Sequence, residues 1–365
     1  MKVLVIGGGI VGTGIALELA KAKVEVTVVE RGLPGAEASS AAGGMLAPQL
    51  ENTAPGPALD FGLRSRAAWP AWAKDVEERS GVPVGYLPSG VVLAAFTEND
   101  AHGLEATVAW QTASSLRATF LTGDEARALE PGLSPKALAG AHFPDDHQVD
   151  NQALMRALPL AATRAGVTFR TATVRAVLEQ SGRATGVDAD GEQLFADAVV
   201  LAAGAWSSLV PGTRLPPNAV RPVRGQMAEL TTRSSPLEHI VKTPAGYLVP
   251  RADGRVIAGS TMEYVGFDKR VTAEGLAKLL SMAGEVCPAL GQATVSASWA
   301  GLRPGTEDKL PFLGPGPLER LYLATGHFRN GILLAPMTAR VLAALVQGER
   351  PAVDLRPFRF ERFST

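Results

Sequence analysis

Three glycines and one acid near the N-terminus have the spacing of a dinucleotide-binding site. Gly7, Gly9 and Gly12 follow the pattern G-x-G-x-x-G, and Glu30 stands eighteen residues after Gly12. Gly7 permits a tight turn, Gly9 lets a pyrophosphate approach the main chain, and Gly12 allows a helix to pack closely on a strand. A carboxylate at Glu30 can accept hydrogen bonds from both hydroxyls of an unphosphorylated ribose, which disfavours NADP.

The elements around these glycines complete the motif. Lys2–Ile6 is short, apolar and β-branched, which predicts a buried strand; a helix follows the glycines as far as Ala20, and Val24–Val29 predicts a second strand. The helix N-terminus directs free N–H groups and the positive end of its dipole towards the phosphates. This order of elements disfavours an unrelated glycine-rich turn, but it does not separate FAD from NAD.

The next segment, Glu37–Pro48, has the composition of a loop that lies along a ligand. It is small, hydroxylated and flexible, whereas an NAD dehydrogenase would normally continue here into another helix–strand repeat. Ser39 and Ser40 can donate hydrogen bonds to a phosphate. Three further residues can pass beneath a flat ring: Gly43, Gly44 and Met45.

An arginine in the stretch Trp299–Pro304 has surroundings that favour burial. Arg303 follows apolar and small residues, so the alternative of a surface arginine ahead of Pro304 is disfavoured. A guanidinium can bind a carboxylate through two parallel hydrogen bonds, which fixes the orientation of the ligand as well as its charge. Arg303 is therefore a candidate for binding a carboxylate.

These segments together resemble the D-amino-acid oxidase superfamily of flavoproteins, and within it especially the glycine oxidases of bacterial thiamine synthesis. The resemblance begins at Glu37–Pro48 and is most specific in Trp299–Gly314 and Gly326–Val346, and it spans nearly the whole chain in the family's order. It implies noncovalently bound FAD. The sarcosine oxidases attach their flavin to a cysteine near the C-terminal block, and Thr306–Leu313 contains no cysteine.

The resemblance also implies roles for particular side chains. Arg303 would bind the substrate carboxylate, the Tyr247 hydroxyl would meet the same carboxylate, and Arg329 would lie near the substrate or the flavin. Met262 would line the pocket wall. The remaining predicted FAD contacts are Ile10, Val11, Arg31, Ala38, Val174, Gly204, His327, Phe328, Asn330, Gly331, Ile332 and Leu333.

Two alanines distinguish the predicted pocket. Ala245 stands where the glycine oxidase pattern has a histidine, two residues before the tyrosine, so a pocket hydrogen bond is missing and substrate preference can differ. Ala47 lies just after the residues Ser39–Met45 that are predicted to contact the flavin. Its small side chain leaves room for substrates larger than glycine.

The predicted fold class is α/β plus α+β, with a Rossmann-like FAD domain and a discontinuous antiparallel substrate domain. Residues 1–80, 141–215 and 300–365 would form the FAD-binding domain, and residues 81–140 and 216–299 the substrate domain. Further predicted elements are a helix Asp150–Ala165 capped by Asp150, strands Val167–Val174, Ala198–Ala203, Gly225–Leu230, Gly246–Pro250, Arg255–Ala258 and Leu321–Ala324, and a helix Ile332–Val346. The N-terminus of that last helix would stabilise negative charge on the flavin's pyrimidine edge.

Composition excludes several other classes of protein. The net charge is −1 and no basic stripe occurs, which argues against a nucleic-acid partner. Cys287 is the single cysteine, so no internal disulfide forms. The apolar N-terminus is broken by glycines and is too short to span a membrane, so a cytoplasmic protein is expected. The segment His142–His147 lacks the spacing of a metal site, and no metal is expected.

The predicted activity is oxidative deamination of glycine and other small amines or amino acids, through hydride transfer to the flavin. The products would be an oxo acid by way of an imine, ammonia and hydrogen peroxide, with dioxygen as electron acceptor and thiamine thiazole synthesis as the purpose. The alternatives are a D-amino-acid oxidase or dehydrogenase, a sarcosine oxidase, and a non-catalytic FAD-binding subunit of an amine dehydrogenase. The true substrate, the acceptor and a possible homo-oligomer stay open.

Overall fold

The computed structural model describes residues 1–363, which contain both helices and strands. The strands are β1 Lys2–Ile6, β2 Glu25–Glu30, β3 Met45–Leu46, β4 Val91–Ala95, β5 Thr119–Thr122, β6 Ala139–Phe143, β7 His147–Gln148, β8 Thr168–Thr171, β9 Val174–Gln180, β10 Arg183–Ala189, β11 Glu192–Phe195, β12 Ala198–Leu201, β13 Arg221–Thr231, β14 Ile240–Thr243, β15 Gly246–Pro250, β16 Arg255–Gly259, β17 Thr294–Gly305, β18 Phe312–Pro315 and β19 Leu321–Thr325. The helices are α1 Ile10–Lys21, α2 Ala38–Ala41, α3 Pro48–Glu51, α4 Pro57–Ser80, α5 Glu98–Ala113, α6 Gly123–Leu129, α7 Asn151–Arg164, α8 Ala273–Val286 and α9 Gly331–Val346.

A six-stranded sheet carries the N-terminal motif. Its strand order is β18-β19-β12-β1-β2-β8, and all neighbouring strands run parallel except β18, which pairs antiparallel with β19. Side chains alternate along β1 because a strand has a period of two: Val3 and Val5 join the core under helices α1, α4, α7 and α9, whereas Leu4 and Ile6 face a three-stranded sheet, β9 to β11. The sheet is therefore buried on both faces.

A second, eight-stranded sheet has the order β17-β13-β16-β15-β14-β4-β6-β5 and is antiparallel apart from the pair β14–β4. Helix α8 covers one face, where Leu279, Met282 and Val286 pack on Leu248 and Ala258. The opposite face carries Met227, Tyr247 and Trp299, which pack with Ala47 and Met45 of the segment after β2. This second face forms one wall of the site described below.

The fold class predicted from the sequence is confirmed, and several elements agree closely. β1 and β15 have the predicted bounds, and α7 begins after Asp150, whose carboxylate accepts hydrogen bonds from the main-chain N–H of Gln152 and Ala153 at 3.0 Å each. Cys287, the single cysteine, is fully buried. The domain ranges stay a prediction; β6 begins before residue 141, so it crosses one predicted boundary.

Three element predictions differ from the structure. The predicted strand Val167–Val174 is two strands: β8 ends at Thr171, and Val174 begins β9 in a different sheet. The pairing of β8 with β2 ends at Glu30, whose carbonyl accepts a hydrogen bond from Ala172 N at 3.0 Å. The segment Glu37–Pro48 is not a continuous loop, since it contains helix α2 and strand β3. The strand predicted over Ala198–Ala203 ends at Leu201, two residues early.

Within residues 1–363 no helix combines the length and apolarity needed to cross a membrane. No group of three histidine, cysteine, aspartate or glutamate side chains in the same range is placed to hold a metal ion. His142 lies in β6 and stacks edge-on against His239, with ring centroids 5.5 Å apart, while His147 lies in β7 and contacts the Tyr86 hydroxyl.

Candidate active site

The glycine loop makes the turn from β1 into α1. Gly7 has φ 103°, a conformation that favours glycine, and its N–H donates to Val29 O at 2.9 Å. A Cβ on Gly12 would lie 2.0 Å from Gly7 O, so only glycine allows the helix to pack this closely on the strand. The roles predicted for Gly7 and Gly12 are therefore structural roles, in the turn and in helix packing.

Glu30 and Ser39 bind the main chain at the start of α1. The Glu30 carboxylate accepts hydrogen bonds from Gly8 N at 2.7 Å and Gly32 N at 3.0 Å. Ser39 Oγ accepts one from Ile10 N at 3.0 Å, which leaves its hydroxyl proton available to a ligand. Helix α1 has no side-chain cap of its own, so the remaining N–H groups of its first turn are free for an anion.

The carboxyl ends of β12 and β19 meet the N-termini of α1 and α9 at one cavity. Ala202 and Gly204 follow β12, and Ala324 and Thr325 end β19; all four line this cavity. In open α/β sheets, ligands bind in the crevice outside the carboxyl ends of the strands. The cavity therefore lies where the topology of the six-stranded sheet places a cofactor.

The segment that ends at β3 is held by two polar side chains that sequence reasoning missed. Asn151 Nδ2 donates to Ser39 O at 2.9 Å and to Ser40 O at 3.0 Å. Arg251 donates to Gly43 O at 3.0 Å and to Val149 O at 3.1 Å. A main-chain carbonyl can belong to any residue type, so the sequence does not indicate that Arg251 binds two of them. The only signal was the position of Arg251 directly after β15.

Arg251 is a buried cation, with 7% of its surface exposed. Burial lowers its pKa to about 10, and the charge of Asp150 opposes that lowering. Besides the two carbonyls, the guanidinium donates to Gln148 Oε1 at 2.8 Å and Asn151 Oδ1 at 3.2 Å. Each of these contacts is to a neutral group. Arg251 therefore joins the eight-stranded sheet to Ser39–Met45, the segment predicted to contact the flavin and called the flavin segment below.

Helix α9 directs its N-terminus into the same cavity. Its N-cap, Asn330, makes no side-chain capping bond, and Gly331 and Ile332 line the cavity. His327 is buried just before the helix and bonds Thr338 Oγ1 at 3.2 Å through Nε2. Burial lowers the pKa of His327 to about 3, so its ring is neutral at physiological pH.

Arg303 lies in the cavity wall formed by β17. Its Nη1 donates to Thr261 O at 3.2 Å and its Nη2 to Ser260 Oγ at 2.6 Å. Burial lowers the pKa of the guanidinium, and the adjacent Tyr247 opposes that lowering. No carboxylate within residues 1–363 lies within 4 Å of it, so its remaining N–H donors can bind an anionic ligand.

Tyr247 is enclosed by glycines. A Cβ on Gly43 would lie 2.8 Å from Tyr247 Cε2, and one on Gly259 would lie 2.7 Å from Tyr247 Cζ. The hydroxyl donates to Met227 Sδ at 3.6 Å, a weak acceptor that a carboxylate can replace. The ring therefore has one well-defined position beside Arg303.

Arg329 forms an ion pair with Glu51, at 2.8 Å between Nη2 and Oε2. This pair does not have the angles of a hydrogen bond, since Oε2 has no hydrogen-bond partner. The Glu51 carboxylate competes with any substrate anion for Arg329, which makes Arg303 the stronger carboxylate site. Glu51 and Lys242 also line the cavity, and sequence reasoning missed both.

The structure brings most of the predicted site residues to one place. The predicted pocket residues are all there: Ala47 is buried, Ala245 lies in the hairpin turn between β14 and β15, and Met262 is 51% exposed at the mouth. The cavity is lined by the predicted residues Gly9, Ile10, Val11, Ala38, Ser39, Gly43, Gly44, Met45, Ala47, Gly204, Ala245, Tyr247, Met262, Arg303, His327, Phe328, Arg329, Asn330, Gly331 and Ile332.

A smaller set of predicted FAD contacts lies outside this lining. Leu333 packs in the core, and its carbonyl accepts hydrogen bonds from Ser65 Oγ and Trp69 Nε1. Arg31 stacks on the Trp206 ring, 3.9 Å from its centroid, and pairs with Glu37. The others are Gly7, Gly12, Glu30, Ser40 and Val174.

The residues present fit a flavin dinucleotide. The N-termini of α1 and α9 open into one cavity and keep free main-chain N–H groups there. Such termini bind anions, which would suit a pyrophosphate at α1 and negative charge on a reduced flavin at α9. A guanidinium without an acidic partner lies opposite them. The fold and the cavity together are those of a flavin-dependent oxidoreductase.

Comparisons with known proteins agree with this class. The family model described as DAO, FAD dependent oxidoreductase, matches residues 2–345. The chain belongs to this family of FAD-dependent oxidoreductases.

Two curated relatives and one solved structure cover the whole chain. The bifunctional protein ThiO/ThiG of Synechocystis sp. is 40% identical over 371 residues, which cover 100% of this chain and 54% of the relative. The glycine oxidase of Geobacillus kaustophilus is 38% identical over 364 residues, which cover 99% of this chain and 96% of the relative. The crystal structure of glycine oxidase from Geobacillus kaustophilus matches with a TM-score of 0.94 at 37% identity, covering 99% of this chain and 98% of that one. The chain thus spans about half of the bifunctional relative and nearly all of the glycine oxidase.

Proposed function

We propose that the protein is a FAD-dependent glycine oxidase that deaminates glycine and other small amino acids or amines. The observation that carries the proposal is the Arg303 guanidinium, buried in the cavity wall beside Tyr247 with no acidic partner in residues 1–363. A buried charge is costly unless it is paired, so such a group favours an anionic ligand. Similarity to glycine oxidases over the full chain supports glycine as the substrate.

The residues of the cavity have two roles: some bind the substrate, and others stabilise negative charge. Arg303 and Tyr247 hold the substrate carboxylate, which fixes the position of Cα. FAD, when bound, supplies the oxidant that accepts a hydride from Cα and passes the electron pair to dioxygen, giving hydrogen peroxide. The free N–H groups at Gly331 and Ile332 stabilise negative charge at the same end of the cavity.

Proton transfer requires no dedicated base. The substrate ammonium loses its proton to water at the cavity mouth, where Met262 is half exposed. Water then adds to the imine, the C–N bond breaks, and an oxo acid and ammonia leave. We also infer that the enzyme is cytoplasmic and that its product is used in thiamine thiazole synthesis. The similarity to a ThiO/ThiG protein supports the role in thiamine synthesis. A homo-oligomer is compatible with this role.

The experiment is an anaerobic titration of the FAD-loaded protein with glycine, followed by the flavin absorbance. Bleaching of the flavin band, with peroxide release on re-admission of air, is the expected result. Sarcosine, D-alanine and D-proline form the comparison panel, and turnover of either D-amino acid far above glycine would make the protein a D-amino-acid oxidase instead. FAD binding with no bleaching by any amine would indicate a non-catalytic subunit.

A further inference from the structure

The register of the eight-stranded sheet places Lys242 in the wall of the cavity. It lies directly opposite Tyr247 in the antiparallel pair β14–β15. Side chains of directly opposed residues point to the same face of a sheet, so Lys242 shares the face that Tyr247 presents to the cavity. Both residues line the cavity, and Lys242 is half-buried.

The charges that line the cavity do not balance. They are three cations, Lys242, Arg303 and Arg329, and one carboxylate, Glu51. Glu51 pairs with Arg329 at 2.8 Å, and a substrate carboxylate would neutralise Arg303. Lys242 is then left over: its ammonium donates to the main-chain carbonyl of Thr243, and no carboxylate of residues 1–363 lies within 4 Å of it.

The surroundings of this ammonium favour an anion. Burial lowers the pKa of Lys242, the Glu51 carboxylate opposes that change, and the Arg329 charge adds to it. An ammonium has three donors, and the Thr243 carbonyl uses one of them. The neighbouring turn residue Ala245 is small and exposed, so space for a ligand exists next to Lys242.

We propose that Lys242 is a second anion subsite, so that the cavity takes small amino acids with two carboxylates, one held by Arg303 and the other by Lys242. The proposal rests on the proposed function, because it assumes that Arg303 holds the carboxylate beside the oxidised carbon. The second carboxylate takes no part in the reaction: Cα loses a hydride to FAD, nitrogen loses a proton, and water cleaves the imine. Iminodiacetate and dioxygen would thus give glyoxylate, glycine and hydrogen peroxide.

The kinetic test uses pairs of substrates that differ by one carboxylate, with the FAD-loaded enzyme. Iminodiacetate against sarcosine tests a carboxylate on the nitrogen arm, and D-aspartate against D-alanine tests one on the Cα arm. In Lys242→Met the ratio of kcat/KM for the favoured dicarboxylate to that for its partner falls about 10- to 100-fold, the loss of one charge-assisted hydrogen bond. Lys242→Arg keeps most of the ratio, and Lys278→Met, on the exposed face of α8, leaves it unchanged.

A binding measurement separates this proposal from the proposed function. Oxydiacetate mimics iminodiacetate, and methoxyacetate mimics sarcosine, but neither contains an amine that can be oxidised. Their dissociation constants are measured by calorimetry. If oxydiacetate binds more tightly than methoxyacetate and Lys242→Met abolishes that difference, the result supports the subsite. This holds even if no amine bleaches the flavin. The proposal is wrong if glycine is oxidised while Lys242→Met changes neither substrate ratio nor the binding of oxydiacetate.

Discussion

Gly225 lies directly against the guanidinium of Arg303. A Cβ built on this glycine would lie 2.2 Å from both Nη1 and Nη2. The two residues are on neighbouring strands, β13 and β17, whose register places Gly301 opposite Gly225 and Val223 opposite Arg303. The missing side chain of Gly225 therefore leaves the space that the Arg303 guanidinium occupies.

Gly225→Ala tests this relationship without removing the arginine. The added methyl displaces the guanidinium, so KM for glycine rises about 10-fold or more, as expected for loss of one charged hydrogen bond, while FAD binding is retained. Steady-state kinetics and the flavin content of the purified protein measure both. Gly284→Ala in α8, where a Cβ meets no atom within 4 Å, is the control. An unchanged KM in Gly225→Ala would mean that Arg303 does not hold the substrate.

Arg303→Met removes the charge but keeps an unbranched side chain at this position. Truncating one partner of a buried charge pair costs about 2–5 kcal/mol, so KM for glycine rises about 30-fold or more. FAD remains bound, because the dinucleotide contacts lie on α1 and α9. Kinetics and flavin absorbance are compared with those of Arg340→Met, an exposed arginine on α9. Normal glycine affinity in Arg303→Met would rule out the anchor.

The sequence allowed prediction of those features that depend on neighbours in the chain. β1 and the glycine turn follow from local pattern, and Asp150 caps α7 through the N–H groups of the next residues. The apolar residues before Arg303 predicted that it is not exposed, and the structure agrees, whereas its role as carboxylate anchor came from the resemblance to a family motif and stays a prediction. In each case the chemical reason lies within a few residues.

Contacts between distant segments could not be predicted in this way. Arg251 and Gly43 O are 208 residues apart, and a main-chain acceptor places no demand on residue type. Glu51 meets Arg329 only because α3 and the loop before α9 reach the same cavity. Lys242 had no local signal either, since its place follows from the register with Tyr247.

Arg251→Met is expected to weaken FAD binding. Without the guanidinium, the carbonyls of Gly43 and Val149 lose their buried donor and the flavin segment loosens. The dissociation constant of FAD, measured by titration of the apoprotein, rises about 10- to 100-fold. Arg251→Lys restores part of the affinity, and Arg233→Met, exposed beyond β13, has no effect. Equal affinity in Arg251→Met and the parent protein would contradict this positioning role.

The last prediction concerns the pH dependence of stability. Burial lowers the pKa of His327 from 6.5 to about 3, so between these values the unfolded chain binds one more proton than the folded protein. The stability contributed by the neutral ring is present above pH 6.5 and is lost as the pH falls. From pH 7 to pH 5 the loss amounts to about 2 kcal/mol.

His327→Gln removes this contribution. Its free energy of unfolding, measured by urea denaturation with saturating FAD, falls by about 2 kcal/mol less between pH 7 and pH 5 than that of the parent protein. His102→Gln, on the exposed surface of α5, keeps the parent's dependence. Parallel curves for His327→Gln and the parent protein would show that the buried ring takes up its proton without opening the structure. The neutral form before α9 would then not be required for folding.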